Sequence, residues 1–338
     1  MEVVSPMAAV PGMCGVLWFV HIGKAGGGTI QSMMHTHAKE LGWKFLNLHS
    51  ADPHCQNDVL LQPNLSHWEH FSKVASVQGF FEELRQPRPM ALVHQHGCPP
   101  GLGSPLLDDL LRLNASLAQR GCEVVLTTLL REPVELTKSR LAWGHIKVDK
   151  QRKWVLDYAK NQQLNGILFG ESAASPQRHP HLPQLLDNKT QLLRTQTFAN
   201  CSQALLMAEY ALSHFRLVGR TANLTAFAWE LFALMRGGRD HRTAGSKWLP
   251  DDKVQSTAPY QHFSNTSLDM IEHVLRSEVP SLDECIYSHF SSSTGLMGAS
   301  EMGFSRRTHA FRQCCTQRRA QTTGSAGTNS SNQTPPLP

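Results

Sequence analysis

A glycine-rich segment with one lysine, His21-Ile-Gly-Lys-Ala-Gly-Gly-Gly-Thr29, directly follows a short apolar run. Glycines let a backbone turn tightly and direct successive N–H groups at one anion, and a following helix adds the positive end of its dipole. Lys24 supplies a positive charge and Thr29 a hydroxyl, so the segment predicts a site for a phosphate or a phosphate-like group. It is not a Walker A loop, whose lysine follows the last glycine, and Lys24 also disrupts a dinucleotide-binding fingerprint.

A second candidate anion site lies in the segment Leu130–Arg140, after the most apolar predicted strand. Arg131 leaves the end of that strand with a planar guanidinium, which can bind an anion through two N–H groups. Ser139 lies two helical turns further on, where its hydroxyl can reach the same anion if the chain curls round it. Taken singly, a strand-end ion pair and a solvated helix position explain these two residues equally well. Two such loops in this order, each followed by a helix, favour two anion sites over these single-residue explanations.

The two segments resemble the 5′-phosphosulfate loop (close to H-I-P-K-T-G-G-T) and the 3′-phosphate motif (L-R-D-P-V-x-R-x-x-S) of the Golgi carbohydrate sulfotransferases. The chain is similar to the heparan sulfate and uronyl 2-O- and 6-O-sulfotransferases. Here Gly23 and Ala25 replace the proline and threonine, and the loop has one additional glycine. The resemblance implies that 3′-phosphoadenosine 5′-phosphosulfate is the co-substrate. The residues that it assigns to this donor are Lys24, Ala25, Gly26, Gly27, Gly28, Thr29, Arg131 and Ser139.

Three weaker matches extend the resemblance from about Leu17 to Phe290. They are Asp187–Arg194 with the family's N-x-Q-T-R-x-L region, Phe215–Gly219 with its F-x-x-V-G strand, and Leu282–Tyr287 with its L-D-x-x-L-Y helix.

The pair His94-Gln-His96 follows a predicted strand, Met90–Val93. Sulfuryl transfer needs a base for the acceptor hydroxyl, and open α/β sheets place their sites at the carboxyl ends of strands. The pair resembles the H-x-H of the 2-O-sulfotransferases, which implies a catalytic base at His94 or His96, with Lys24 stabilising the leaving group. The chain contains 18 histidines, and a structural pair or a metal site is the alternative for two histidines at this spacing. The resemblance gives His21 a structural role.

Short strands that alternate with helices must position these residues. The predicted strands are Val16–Val20, Met90–Val93, Val124–Leu130 and Arg216–Gly219. Helices are predicted to start at Thr29, as an N-cap, and at Pro133. Further predicted helices are Trp68–Arg85, Pro105–Arg120, Lys189–Ala199, Ala204–Phe215, Thr225–Met235, Leu268–Arg276 and Ser281–Ser291. Irregular segments are Ala38–Ser66, Ser172–Pro183 and Gly237–Ser264. This order predicts a three-layer α/β/α sandwich with a central parallel sheet, and the resemblance implies the P-loop-like sulfotransferase fold.

The composition is that of a globular protein, with 41% hydrophobic and 17% charged residues among 338. It excludes a disulfide-stapled miniprotein, a coiled coil and a wholly disordered chain. The net charge of +5 comes from five arginines in residues 305–338, which contain no lysine, aspartate or glutamate. We therefore predict a lead (1–14), a formally neutral sulfotransferase domain (15–304) and a disordered basic tail (305–338).

The asparagines point to the secretory route, because eight of twelve lie in N-x-S/T sequons. The eight cysteines include no C-x-x-C, so structural zinc is not expected; disulfides and buried thiols both remain open. No signal peptide or membrane-spanning stretch is predicted. We expect a Golgi-luminal or secretory protein that contacts a membrane only through an anchor outside this chain.

These features predict an enzyme that transfers a sulfuryl group from the donor to a glycan or polysaccharide hydroxyl by in-line displacement. It would need no metal and bind no nucleic acid. A nucleotide kinase or NTPase with an atypical loop, and a non-catalytic relative that binds donor or glycan, are the alternatives. The acceptor candidates are aromatic and basic: Trp43, Lys44, Trp143, Lys147, Arg194 and Trp248.

Overall fold

The structure, a computed structural model, describes residues 14–49, 82–96, 105–144, 146–159, 162–169, 214–235, 265–278, 283–284 and 286–287. All statements below concern these residues. The predictions for residues 1–13, 172–183, 187–199, 237–264 and 305–338 lie outside them, as do most of the predicted helices at 68–85 and 204–215.

Five parallel strands form one sheet in the order β2-β3-β1-β4-β5. They are β1 (Gly15–His21), β2 (Lys44–His49), β3 (Met90–His96), β4 (Glu123–Leu130) and β5 (Phe215–Arg220). The predicted α/β fold with a parallel sheet is thereby confirmed. Edge strand β2 was missed, because its sequence Lys-Phe-Leu-Asn-Leu-His has no β-branched residue and lies in the segment predicted to be irregular. β3 is three residues longer than predicted, so His94 and His96 belong to the strand.

The described helices follow the strands. They are α1 (Gly27–Leu41), α2 (Pro105–Ala118), α3 (Pro133–Trp143), α4 (Val148–Tyr158), α5 (Gln162–Phe169), α6 (Leu224–Met235) and α7 (Asn265–His273), which continues into a π-helical turn at Val274–Glu278. The predicted start at Pro133 is confirmed, and the Glu132 side chain accepts a hydrogen bond from the Glu135 N–H at 2.7 Å. Thr29 as an N-cap is wrong. The helix begins at Gly27, with Gly26 at the N-cap in the left-handed region (φ 87°), which glycine adopts most readily.

The sheet is buried on both faces along β1, where all seven residues are buried. Such continuous burial is typical of parallel sheets covered on both sides. One hydrophobic core joins α1 and α6 to the sheet face that carries Leu17, Phe19 and Leu129. A second joins α3, α4 and α7. Among the described helices, none has the length and apolar character that a membrane crossing requires.

The disulfide and the two predicted anion motifs lie at opposite ends of the sheet. At the amino ends, a disulfide joins Cys14 and Cys122, the residues that precede the neighbouring strands β1 and β4. At the carboxyl ends, the chain leaves β1 toward β2 on one side and leaves β4 toward β5 on the other. A parallel sheet opens a crevice where its connections diverge in this way. The glycine loop follows β1 and Arg131 follows β4, so both predicted anion motifs lie at this crevice.

Candidate active site

The glycine loop joins β1 to α1 in a tight turn. The Ala25 N–H donates to the Ile22 carbonyl at 3.0 Å. Lys24 has a φ of 68°, and within the described residues it is the one non-glycine with a positive φ. A lysine in this region is strained relative to glycine. Two left-handed residues, Lys24 and Gly26, therefore turn the chain from the sheet into α1.

Side chains from three other parts of the chain hold the loop by its carbonyl groups. Arg131 Nη1 donates to the Lys24 oxygen at 2.9 Å, and Arg140 Nη2 donates to the Gly23 oxygen at 3.4 Å. Thr221 Oγ1, directly after β5, lies 2.9 Å from the Ala25 oxygen. In a trans peptide the N–H points away from the carbonyl. The loop N–H groups that share these peptides therefore face away from the side chains that hold the carbonyls.

The half-buried Lys24 side chain lies beside an aromatic ring. Its Nζ lies 5.7 Å from the ring centroid of Trp143, the last residue of α3. Trp143 is 66% exposed, an unusual exposure for tryptophan. The structure thus places a cationic side chain of the loop beside a large exposed aromatic surface. Trp143 was among the predicted acceptor candidates.

The backbone of Arg131 is held by the side chain of Gln163. The Arg131 N–H donates to Gln163 Oε1 at 2.8 Å, and Gln163 Nε2 donates to the Arg131 oxygen at 2.8 Å. Gln163 is in turn fixed by the buried carboxyl of Asp283, which accepts from the N–H groups of Gln163 and Leu164 at 2.8 and 2.9 Å. Asp283 thereby caps the start of α5. The position of the arginine at the strand end is set by these contacts.

Burial raises the pKa of Asp283 to about 6. Its hydrogen bonds from backbone N–H groups and the positive charge of Arg140 act in the opposite direction but do not cancel the cost of desolvation.

Ser139, the other residue predicted in the second motif, is fully buried on α3. Its hydroxyl has no hydrogen-bond partner within the described residues. The structure therefore brings Arg131 and the glycine loop together, but no hydrogen bond links Ser139 to either of them.

The predicted histidine pair is connected through a third histidine, His21. His94 is completely buried; its Nδ1 lies 2.8 Å from Asn47 Oδ1 and its Nε2 lies 3.1 Å from His21 Nδ1. His96 ends β3 and is partly exposed. Its ring stacks on that of His21, with centroids 4.0 Å apart and planes inclined by 22°. The strand register explains the arrangement, because His21 pairs with His96 and Asn47 pairs with His94.

His21 also contacts the start of α1. A Cβ built on Gly27 would lie 1.9 Å from His21 Cδ2 and 2.2 Å from its Nε2. Only glycine allows this approach. The imidazole is thus enclosed by His94, His96 and the first residue of the helix that follows the glycine loop.

Several residues of this site were not predicted. Asn47 lies in the missed strand β2, and Gln163 lies in a helix for which no prediction was made. Asp283 falls in the weakly matching segment Leu282–Tyr287, the one sequence signal that could have indicated it.

Across the described part of the chain, no three His, Cys, Asp or Glu side chains group closely enough to hold a metal ion. No protein-family model matches the chain, and comparison with curated proteins finds no match either.

Proposed function

We propose that this protein is a sulfotransferase that moves a sulfuryl group from 3′-phosphoadenosine 5′-phosphosulfate to a hydroxyl of a carbohydrate acceptor. The observation that carries the proposal is the hydrogen bond from Arg131 Nη1 to the Lys24 oxygen. It joins two segments that resemble the phosphosulfate loop and the 3′-phosphate motif of one family, although they are 107 residues apart. One bisphosphorylated nucleotide could contact both segments.

The fold is also consistent with the sulfotransferase proposal. The chain leaves β1 and β4 in opposite directions, and because crossovers between parallel strands are almost always right-handed, such connections would lie on opposite faces of the sheet. We propose that the domain is a three-layer α/β/α sandwich with the P-loop-like architecture of sulfotransferases. Its donor would lie in the crevice at the carboxyl ends of β1 and β4.

The transfer would proceed by in-line displacement. The acceptor oxygen attacks the sulfur of the donor, the bond between sulfur and the bridging phosphate oxygen breaks, and the sulfuryl group becomes a sulfate ester. The electron pair of the broken bond remains on the nucleotide 5′-phosphate. Lys24 and the glycine-loop N–H groups would stabilise the charge that develops there. The Arg131 guanidinium would hold the 3′-phosphate.

The acceptor proton would pass to His96. Of the two predicted bases, His94 is completely buried and both of its ring nitrogens are hydrogen-bonded. His96 is partly exposed at the end of β3, on the strand next to the one that carries the glycine loop. A base must lie within hydrogen-bond reach of the proton that it removes. We therefore assign the base to His96.

The Cys14–Cys122 disulfide supports a secretory or Golgi-luminal location, since disulfides persist mainly in oxidising compartments. The abundance of sequons in the sequence favours the same location.

The test is transfer of sulfate from labelled donor to a panel of glycans, with the Arg131→Ala variant beside the wild type. We expect transfer to fall by about 100-fold or more, because one stabilising cationic donor is lost. Arg216→Ala is the matched control, since Arg216 is an exposed arginine on the adjacent strand β5.

Full activity of Arg131→Ala would overturn the proposal. Magnesium-dependent ATP turnover would favour the kinase or NTPase alternative. Tight binding of 3′-phosphoadenosine 5′-phosphate without transfer to any glycan would favour a non-catalytic relative.

A further inference from the structure

We infer that His21 is a positioning residue, which orients His96 through ring stacking and is itself held by a hydrogen-bonded chain of Asn47 and His94. The role assigned to His96 rests on the proposed function, whereas the hydrogen-bonded chain rests on geometry alone. The Asn47–His94–His21 chain crosses three neighbouring strands, β2, β3 and β1.

For neutral rings and the Asn47 amide oxygen facing His94, the hydrogen bonds determine which nitrogen of each ring carries a proton. The Asn47 side-chain oxygen only accepts, so His94 Nδ1 must donate to it. A neutral imidazole carries one N–H, and His94 Nε2 is therefore an acceptor. Its partner at 3.1 Å, His21 Nδ1, must then be the donor. Both rings are thus held in the Nδ1–H tautomer.

Burial makes these hydrogen bonds costly to break. Asn47 is itself exposed, but His94 is 0% exposed and His21 is 9% exposed, so loss of either partner leaves a ring nitrogen of a buried histidine to be satisfied. A buried ring nitrogen without a partner costs far more than an exposed one. The ring of His21 consequently has one preferred orientation, and the ring of His96 stacks on that surface.

His21 also links the base to the glycine loop. It is the last residue of β1, and its ring packs against Gly27, the first residue of α1. The loop lies between these two residues. A ligand that shifts the loop or the start of α1 must therefore press on the imidazole of His21, and through it on His96. We expect donor occupancy and the orientation of the base to be coupled through this contact.

The first experiment is ¹⁵N NMR of the full chain labelled at histidine, with single His→Gln variants to assign the signals. We expect His94 and His21 to show the Nδ1–H tautomer pattern near neutral pH. Asn47→Leu should abolish that pattern at His94, and Asn47→Asp, which keeps an acceptor, should restore it. A His94 ring in the Nε2–H tautomer, or one unchanged by Asn47→Leu, would overturn the inference.

The second experiment separates the two contacts of His21 by steady-state kinetics. His21→Phe keeps a ring against His96 and Gly27 but removes the donor to His94. His21→Asn keeps an N–H near the place of Nδ1 but removes the ring. Each variant should lower kcat by about 10- to 100-fold, the range expected for a slightly misplaced catalytic group. His21→Phe should leave KM for the donor nearly unchanged, because its ring still packs on Gly27.

A control is His273→Asn, which alters an exposed histidine at the end of α7 and should retain wild-type kcat. Thermal unfolding of each variant separates loss of fold from loss of positioning. Wild-type kcat in a folded His21→Phe variant with unchanged His96 signals would overturn the inference. An inactive wild type with the expected His94 tautomer would contradict the proposed function and still support the hydrogen-bonded chain.

Discussion

Arg131 donates a hydrogen bond to the main-chain oxygen of Lys24, and this contact makes two distant segments into one site. A guanidinium has five N–H donors, so a bond to a carbonyl leaves others for a phosphate. The bond also keeps the positive charge within a few ångströms of the loop. Arg131 is therefore both a support for the loop and the candidate ligand of the 3′-phosphate in the proposed function.

The backbone strain at Lys24 allows its charge to be removed without loss of stability. Because Lys24 has a left-handed φ of 68°, Lys24→Gly relieves strain while it deletes the ammonium group. We expect the free energy of unfolding to stay the same or rise. Binding of 3′-phosphoadenosine 5′-phosphate should weaken by about 10- to 100-fold, as for the loss of one charged hydrogen bond. Calorimetric titration and urea unfolding measure the two quantities, and Lys39→Ala, on the exposed side of α1, is the control. Unchanged affinity would show that Lys24 does not contact the nucleotide.

The contact between Gly27 and His21 predicts an unusual response to alanine. In most helices Gly→Ala stabilises by about 0.5–1 kcal/mol, but here the new Cβ would lie 1.9 Å from the imidazole. We expect Gly27→Ala to destabilise by about 1–3 kcal/mol, the cost of overpacking a filled site. In a double-mutant cycle with His21→Ala, that penalty should largely disappear. Strictly additive effects would mean that the two residues do not touch.

The sequence indicated the fold well where strands are apolar and β-branched. β4, with Val124 and Val125, was predicted to within one residue. β2 was not, because an edge strand can be half polar and needs no β-branched residue. α4 was not predicted either, since five of the eleven residues in Val148–Tyr158 are charged. Packing against α3 and α7 explains its presence better than propensity does.

Sequence analysis indicated only those parts of the candidate site that lie within a single local motif. The glycine loop and Arg131 were recognised because each is a local pattern of residue types. Their mutual contact, and the support of Arg131 by Gln163, link positions that are 107 and 32 residues apart. Sequence spacing contains no signal for such contacts. The resemblance gave His21 a structural role, and nothing in the sequence indicates that its ring contacts both His94 and His96.

The Cys14–Cys122 disulfide should affect stability and not the site. It closes a segment of 108 residues at the amino ends of β1 and β4, whereas the glycine loop lies at their carboxyl ends. A Cys14→Ser/Cys122→Ser variant should lose about 2–5 kcal/mol of unfolding free energy, mainly because the unfolded chain becomes less constrained. Its affinity for 3′-phosphoadenosine 5′-phosphate should equal that of the wild type at a temperature where both are folded. A large loss of affinity in the folded variant would contradict this separation.

Asp283 should make stability depend on pH in the sense opposite to that of a salt-bridged carboxylate. Its pKa is about 6 in the folded protein against an ordinary value of 3.8, so between these values the native state binds more protons than the unfolded state. The contribution of Asp283 to stability is therefore greatest at low pH and falls as pH rises through this window. The total change corresponds to about 3 kcal/mol.

Asp283→Asn should remove this dependence, because the amide does not titrate while its oxygen can still accept from one of the two N–H groups at the start of α5. Relative to the variant, the wild type should lose about 2 kcal/mol of unfolding free energy between pH 4 and pH 7. Urea unfolding at several pH values measures the difference. The contributions of other titrating groups to the pH dependence cancel when the wild type is compared with the variant. Asp149→Asn, at an exposed position of α4, is the control and should follow the wild-type profile. Parallel profiles for the wild type and Asp283→Asn would mean that this carboxyl is not held in a desolvated site. Asp283→Asn also removes one of the hydrogen bonds that hold the start of α5, and with it Gln163, which binds the backbone of Arg131. We therefore expect affinity for 3′-phosphoadenosine 5′-phosphate to fall at every pH rather than only above pH 6.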